Sequence, residues 1–218
     1  MDNVISLADY RRGQASRAEH RPRNRFARAT FVFDLALPQT YLAAERVDRM
    51  FSGLRWQPAF ATELWDGDAP TERLIADAEE RAAVLGVPLV WPEAFPAEVR
   101  PAMRVAALAC DLGRGAAFVL AAGRLAFCGG FDLGAPDVLA EAAAAASLPL
   151  DLCLAAAGDP GRDALMSQAG RRLREAGACD LPALRVARRV FAGEARIGEA
   201  FAASMAAEAP RTPRPLTA

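Results

Sequence analysis

The run Ala29-Thr30-Phe31-Val32-Phe33-Asp34-Leu35-Ala36-Leu37-Pro38-Gln39-Thr40-Tyr41-Leu42-Ala43 decides the fold. Aromatic and β-branched residues crowd into positions 29–35, as a short buried strand requires. After a tight turn comes Pro38, whose fixed φ and missing N–H suit the first position of a helix. Leu42, Ala43, Arg46, Val47 and Met50 then recur at helical spacing until Gly53 ends the run. A strand that passes through a tight turn into a helix opens a β-α unit.

Working outward, residues 56–64 predict a second strand, bent or at a sheet edge because Pro58 interrupts it. From Pro70 the pattern turns helical for about a hundred residues, with helices predicted over 70–85, 101–112, 116–127, 136–147 and 161–176. Between the first two, residues 87–92 form a connector kept out of helix by Pro88 and Pro92, and its Trp91 is placed to line a cleft. Strand signals return over 184–191 and 195–197, separated by a turn that contains Gly193, and a helix over 198–208 follows. The order is β-α-β, helical insert, α, β-β-α. It describes an α/β domain with a mixed sheet, made of residues 29–68 and 177–209, with an all-α domain inserted over 69–176. An Arg-rich tail over 1–28 and a Pro-rich end over 210–218 are expected to be disordered, since polar segments cannot repay their ordering entropy.

Composition narrows the chemistry. The chain has 218 residues, 53% hydrophobic and 24% charged, which suffices for a folded core. Its 26 basic and 27 acidic residues leave a net charge of −1, so no overall field draws it to nucleic acid or to an acidic membrane surface. Every basic residue is Arg, which excludes Schiff-base chemistry, a Lys general base and a P-loop Lys. The one histidine, His20, lies in the polar N-terminal tail, so His-based triads and most zinc sites lose their usual residue. Cys110, Cys128, Cys153 and Cys179 form no C-x-x-C pair and stand among Ala, Leu and Val, where a free thiol behaves as a small buried hydrophobe. The tail lacks the apolar core of a secretory signal, and the longest apolar runs fall short of the roughly 20 residues a bilayer span needs. A cytoplasmic protein without a membrane anchor is expected, and a homodimer is left open.

The segment Phe33 to Ala43 resembles the opening of the DsbA-like thioredoxin superfamily, in particular its kappa-class glutathione transferases and 2-hydroxychromene-2-carboxylate isomerases. There an Asp closes the strand shortly before S-P-x-S or C-P-x-C at the helix start, positions held here by Leu37, Pro38, Gln39 and Thr40. The run 180–186, Asp-Leu-Pro-Ala-Leu-Arg-Val, followed by Phe-Ala-Gly-Glu-Ala-Arg-Ile over 191–197, is similar to the family's L-P-T-F-x-V and F-G-x-D-R. Gly86-Val87-Pro88 is similar to a G-I-P connector of the isomerases. The resemblance covers residues 29–207 and implies a thioredoxin-like domain carrying a helical insert.

The resemblance also implies a site. Its first motif residue meets sulfur at a helix N-terminus, where unpaired N–H groups and the helix dipole stabilise a thiolate, and a Ser hydroxyl adds a charge-assisted bond to glutathione. Leu37 supplies no such donor, which leaves Thr40 as the candidate hydroxyl, with a bond to nearby backbone as its structural alternative. Pro182 matches the cis proline of the fold, and Leu181 would offer its backbone to the cysteinyl part of glutathione. The family's acidic residue in F-G-x-D-R is replaced by Ala195. Its neighbours Glu194 and Arg196 remain as ligand-binding candidates beside Pro38, Leu181 and Pro182, while Asp66 and Asp68 occupy a loop of polar glutathione contacts. Two functions follow from different classes. One is a glutathione-dependent isomerase or transferase acting on a conjugated aromatic acid. The other is a diverged, non-catalytic thioredoxin-fold protein that binds a small molecule in the interdomain cleft, or a protein partner. Dithiol exchange is disfavoured as a third, since it needs two cysteines that this motif does not have, the second to resolve a mixed disulfide.

Overall fold

The computed structural model describes residues 29–67 and 69–208. The two tails expected to be disordered, and Asp68, lie outside the described residues. Strand β1 (Ala29–Phe33) is buried along its whole length, with Thr30 the one polar residue in an otherwise apolar and aromatic run. Helix α1 (Pro38–Met50) follows, with its proline in the first turn. Strand β2 (Arg55–Pro58) then runs parallel to β1, while β3 (Ala183–Val186) pairs antiparallel with the other side of β1, and β4 (Arg189–Ala192) completes the sheet. The order β2-β1-β3-β4 is mixed, with the strands predicted over 29–35 and 184–191 in one sheet.

Between β2 and β3 come α2 (Thr71–Leu85), α3 (Arg100–Asp111), α4 (Gly115–Phe127), α5 (Pro136–Ala145), α6 (Leu150–Ala157) and α7 (Asp163–Glu175), and α8 (Ile197–Glu208) follows β4. Strand side chains alternate, so Phe31, Trp56, Leu184 and Phe191 share one face, which builds the main core against α1, α3 and α4. Phe31 meets Trp56 edge to face with ring centroids 4.8 Å apart. On the opposite face Val32 and Ala183 join Leu37, Ala169, Leu173 and Leu181 in a second apolar cluster. Helix α7 reaches this cluster by a close approach at Gly170, where a Cβ would stand 2.7 Å from both Glu63 Cβ and the Phe60 carbonyl oxygen.

Four expectations change. The second strand stops at Pro58, and residues Ala61–Leu64 form a 3-10 turn, because a proline supplies no N–H to continue a ladder. The hairpin turn lies at Ala187 and Arg188, where Ala187 has φ 54°, and residues Glu194–Arg196 are a 3-10 turn leading into α8 rather than a strand. Helix α6 was not anticipated beyond the alanine run. Among the cysteines only Cys153 is fully buried; Cys110 and Cys128 are partly buried and Cys179 is exposed. Among the described residues no helix is long and apolar enough to cross a membrane.

Candidate functional site at the start of α1

Asp34 organises the turn between β1 and α1. Its Oδ1 accepts from the Ala36 N–H at 3.0 Å and its Oδ2 from the Ala61 N–H at 2.8 Å, which ties the end of β1 to the segment after β2. The carboxyl is buried, and burial pushes its pKa up to about 6 against the opposing pull of those two N–H groups and of Arg100. Its backbone carbonyl accepts from Thr40 Oγ at 2.7 Å. Thr40 is 1% exposed, its hydroxyl is thereby committed to the backbone, and it does not line the pocket beside Leu37.

Leu37 stands at the N-cap of α1 with extended backbone and no side-chain capping bond. A serine or aspartate there would satisfy an orphan N–H of the first turn; an isobutyl group leaves that to other partners. The Leu37 side chain is buried and helps line a pocket of about 170 Å³ together with Asp34, Phe60, Trp65, Phe95 and Arg100. The pocket is apolar on most sides. Its charges are Asp34 at the turn and, on the α3 side, Glu98 and Arg100, the latter's guanidinium lying 5.0 Å from the Phe60 ring centroid and 3.4 Å from Asp163.

The other predicted residues are distributed differently. The Leu181–Pro182 peptide is cis, both residues are buried, and Leu181 packs in the same apolar cluster as Leu37. The Pro182 carbonyl accepts from the Gly193 N–H at 2.9 Å, so it braces the start of the last segment. Glu194 is buried between the guanidinium groups of Arg46 and Arg81, which joins that segment to α1 and α2. A carboxylate so paired is a structural clamp, and it does not line the pocket. Arg196 is exposed, pairs with Glu199 at 2.7 Å, lies over the Phe191 ring and does not line the pocket. Asp66 pairs with Arg174 at the surface. Of the predicted site residues, Leu37 alone lines the pocket, with Pro38 and Thr40 in the turn beneath it.

Sequence reasoning missed Phe60, Trp65, Leu74, Phe95 and Arg100, which come from the segment after β2, from α2 and from the connector into α3. Trp91, expected to line a cleft, stands behind the lining: its ring packs on Phe95 with centroids 4.8 Å apart, and its Nε1–H donates to Glu79 at 3.1 Å. The signal that was available was the cluster of aromatics and prolines in the connector, where Phe95–Pro96 is a second cis peptide.

Solved structures with this arrangement of elements are similar over most of their length. A 2-hydroxychromene-2-carboxylate isomerase matches with TM-score 0.67 and 15% identity, covering 82% of this chain and 95% of its own. A "probable DsbA oxidoreductase" from Streptomyces coelicolor matches with TM-score 0.62 and 20% identity, covering 87% of this chain and 93% of its own. The fold is that of the DsbA-like thioredoxin superfamily. A candidate protein disulfide isomerase from Nitrosomonas europaea shares it, with TM-score 0.62 and 16% identity over 82% of this chain and 95% of its own. No protein-family model matches the sequence, and no curated protein matches it significantly. In this chain the helical insertion supplies Phe95 and Arg100 to the pocket, and the thioredoxin-like part supplies Asp34, Leu37 and Phe60.

Proposed function

We propose that this protein is a thioredoxin-fold binding protein without thiol chemistry, whose pocket at the start of α1 takes a compact small molecule of about one aromatic ring. One observation carries the reading: the position that would hold a nucleophile or a thiolate-stabilising hydroxyl is a buried leucine, Leu37, and the nearby Thr40 hydroxyl is bound to the Asp34 carbonyl. A cavity of about 150 Å³ is enough for benzene, and the 170 Å³ here is of that order. Arg100 beside it suits a carboxylate on such a ring, since a guanidinium matches carboxylate geometry with two parallel donors.

A glutathione-dependent isomerase or transferase acting on a conjugated aromatic acid is the second reading, and the fold shared with the 2-hydroxychromene-2-carboxylate isomerase favours it. A thermal-shift titration separates the two, because a specific ligand raises Tm by mass action. Benzoate is expected to raise Tm and reduced glutathione to leave it unchanged. Leu37→Ser is expected to add no thiolate absorbance to a glutathione mixture. Stabilisation by glutathione, with thiolate absorbance appearing at lower pH in Leu37→Ser, overturns the binding-protein reading in favour of the enzyme.

A further inference from the structure

A second concave site lies on the face of the sheet that carries α7, and it shares no residue with the pocket at α1. Arg55 of β2 and Arg185 of β3 are both registered on Thr30 of β1, so their side chains leave the same face of the sheet in one cross-strand row. Arg172 of α7 and Arg162 of the turn before it line the same groove, of about 420 Å³, with Asp111 from the end of α3. Arg162 stands 3.6 Å from both Asp111 and Asp159, and its charge is met there. Arg185 donates only to the neutral Gln57 Oε1, at 3.3 Å. Among the described residues no carboxylate pairs with Arg55, Arg172 or Arg185. Three uncompensated guanidinium groups on one concave surface repel one another, and a multivalent anion between them reverses the sign of that energy.

We propose that this groove binds the phosphoryl group of a small organic phosphate. Guanidinium groups arriving from two strands and a helix approach from several directions. That suits a tetrahedral oxyanion with three terminal oxygens better than a planar carboxylate with two. The groove is larger than a phosphate, within the range of small-molecule sites, and Leu165 on its wall leaves an apolar side chain 72% exposed for the body of the ligand to cover.

Calorimetry on the full chain at constant ionic strength tests this, with inorganic pyrophosphate as the probe and succinate as the carboxylate comparison. Pyrophosphate is expected to bind about tenfold or more tightly than succinate, and Arg172→Gln and Arg185→Gln each to weaken it by about tenfold, the effect of losing one charge-assisted contact. Arg174→Gln, which removes a guanidinium paired with Asp66 outside the groove, is expected to change nothing. The proposal is overturned if pyrophosphate fails to bind, if succinate matches it, if Arg172→Gln binds as the unaltered protein does, or if Arg174→Gln weakens binding equally. Should Arg185→Gln not fold, the exposed Arg172 decides the matter. None of these outcomes touches the reading of the pocket at α1.

Discussion

Asp34 is the residue on which the turn hangs, and its position shows how a carboxylate can be structural and titratable at once. Two backbone N–H groups favour its charged form, yet complete burial wins and lifts the pKa from 3.8 to about 6. The protonated form is therefore favoured in the folded state. This contribution to stability is present in full below the unfolded pKa and is lost as pH rises through about 6, and a two-unit difference corresponds to about 3 kcal/mol. Asp163 behaves in the opposite sense: its bonds to Arg104 hold its carboxyl below the usual range, so its contribution is present above the unfolded pKa and is lost on acidification. The carboxyl carbon resonance of Asp34 is expected to titrate with a midpoint near pH 6, and Asp34→Asn to remove the fall in unfolding free energy between about pH 4 and pH 6.5. A midpoint below about 4.5 would mean that hydrogen bonding, and not burial, governs the group.

At the scale of elements, the close approach of α7 to the 3-10 turn at Ala61–Leu64 links the insertion's last helix to the pocket wall. Gly170 has no Cβ, and the nearest atoms to a built one belong to the Phe60 carbonyl and the Glu63 side-chain stem, neither of which is the free end of a flexible chain. Gly170→Ala is expected to cost about 1–3 kcal/mol by overpacking, although a helix interior otherwise prefers alanine to glycine by up to about 1 kcal/mol. Urea unfolding measures the sum. Because Phe60 and Ala61 line the pocket, benzoate stabilisation should fall in the same variant; a variant more stable than the parent would show that the turn yields freely. Elements were legible in the sequence where local chemistry coincided with tertiary structure. The tract 29–35, the proline at the start of α1 and Gly86 in its left-handed conformation after α2 are such places. They were illegible where pairing decided. The hairpin turn at Ala187 and Arg188 contains no Gly or Asn, although a two-residue turn ordinarily favours them, so Gly193 drew the prediction to the wrong place. The pocket was half legible: Leu37 stands out against a serine or cysteine pattern. Phe60, Trp65 and Phe95, in contrast, converge only after α2 and α3 have packed.

For the whole molecule, the placement of sulfur decides what the fold can do. Disulfide exchange on this fold needs a reactive thiolate and a second thiol within reach, and the first turn of α1 carries Pro38, Gln39 and Thr40 after Leu37, with no cysteine among them. The cysteines stand elsewhere, all four free, and the nearest neighbours of each explain its inertness or its access. Burial pushes the Cys110 thiol up to about 12 and the Cys153 thiol to about 11, which leaves almost no thiolate near neutral pH. Cys128 is partly buried with its Sγ 2.9 Å from the Tyr41 hydroxyl, while Cys179 is exposed beside Asp180, just ahead of the Leu181–Pro182 bond. Titration of the native protein with a thiol-reactive disulfide reagent is expected to show a fast phase belonging to Cys179 and absent from Cys179→Ser. Cys153 should react only as the chain unfolds, Cys110, partly buried with its thiol pKa pushed up, should react more slowly than Cys179, and insulin reduction should be no faster than with thiol alone. A fast-reacting thiol that survives Cys179→Ser and maps to Cys153 would contradict the packing described for the core, and disulfide reductase activity would contradict the binding function itself.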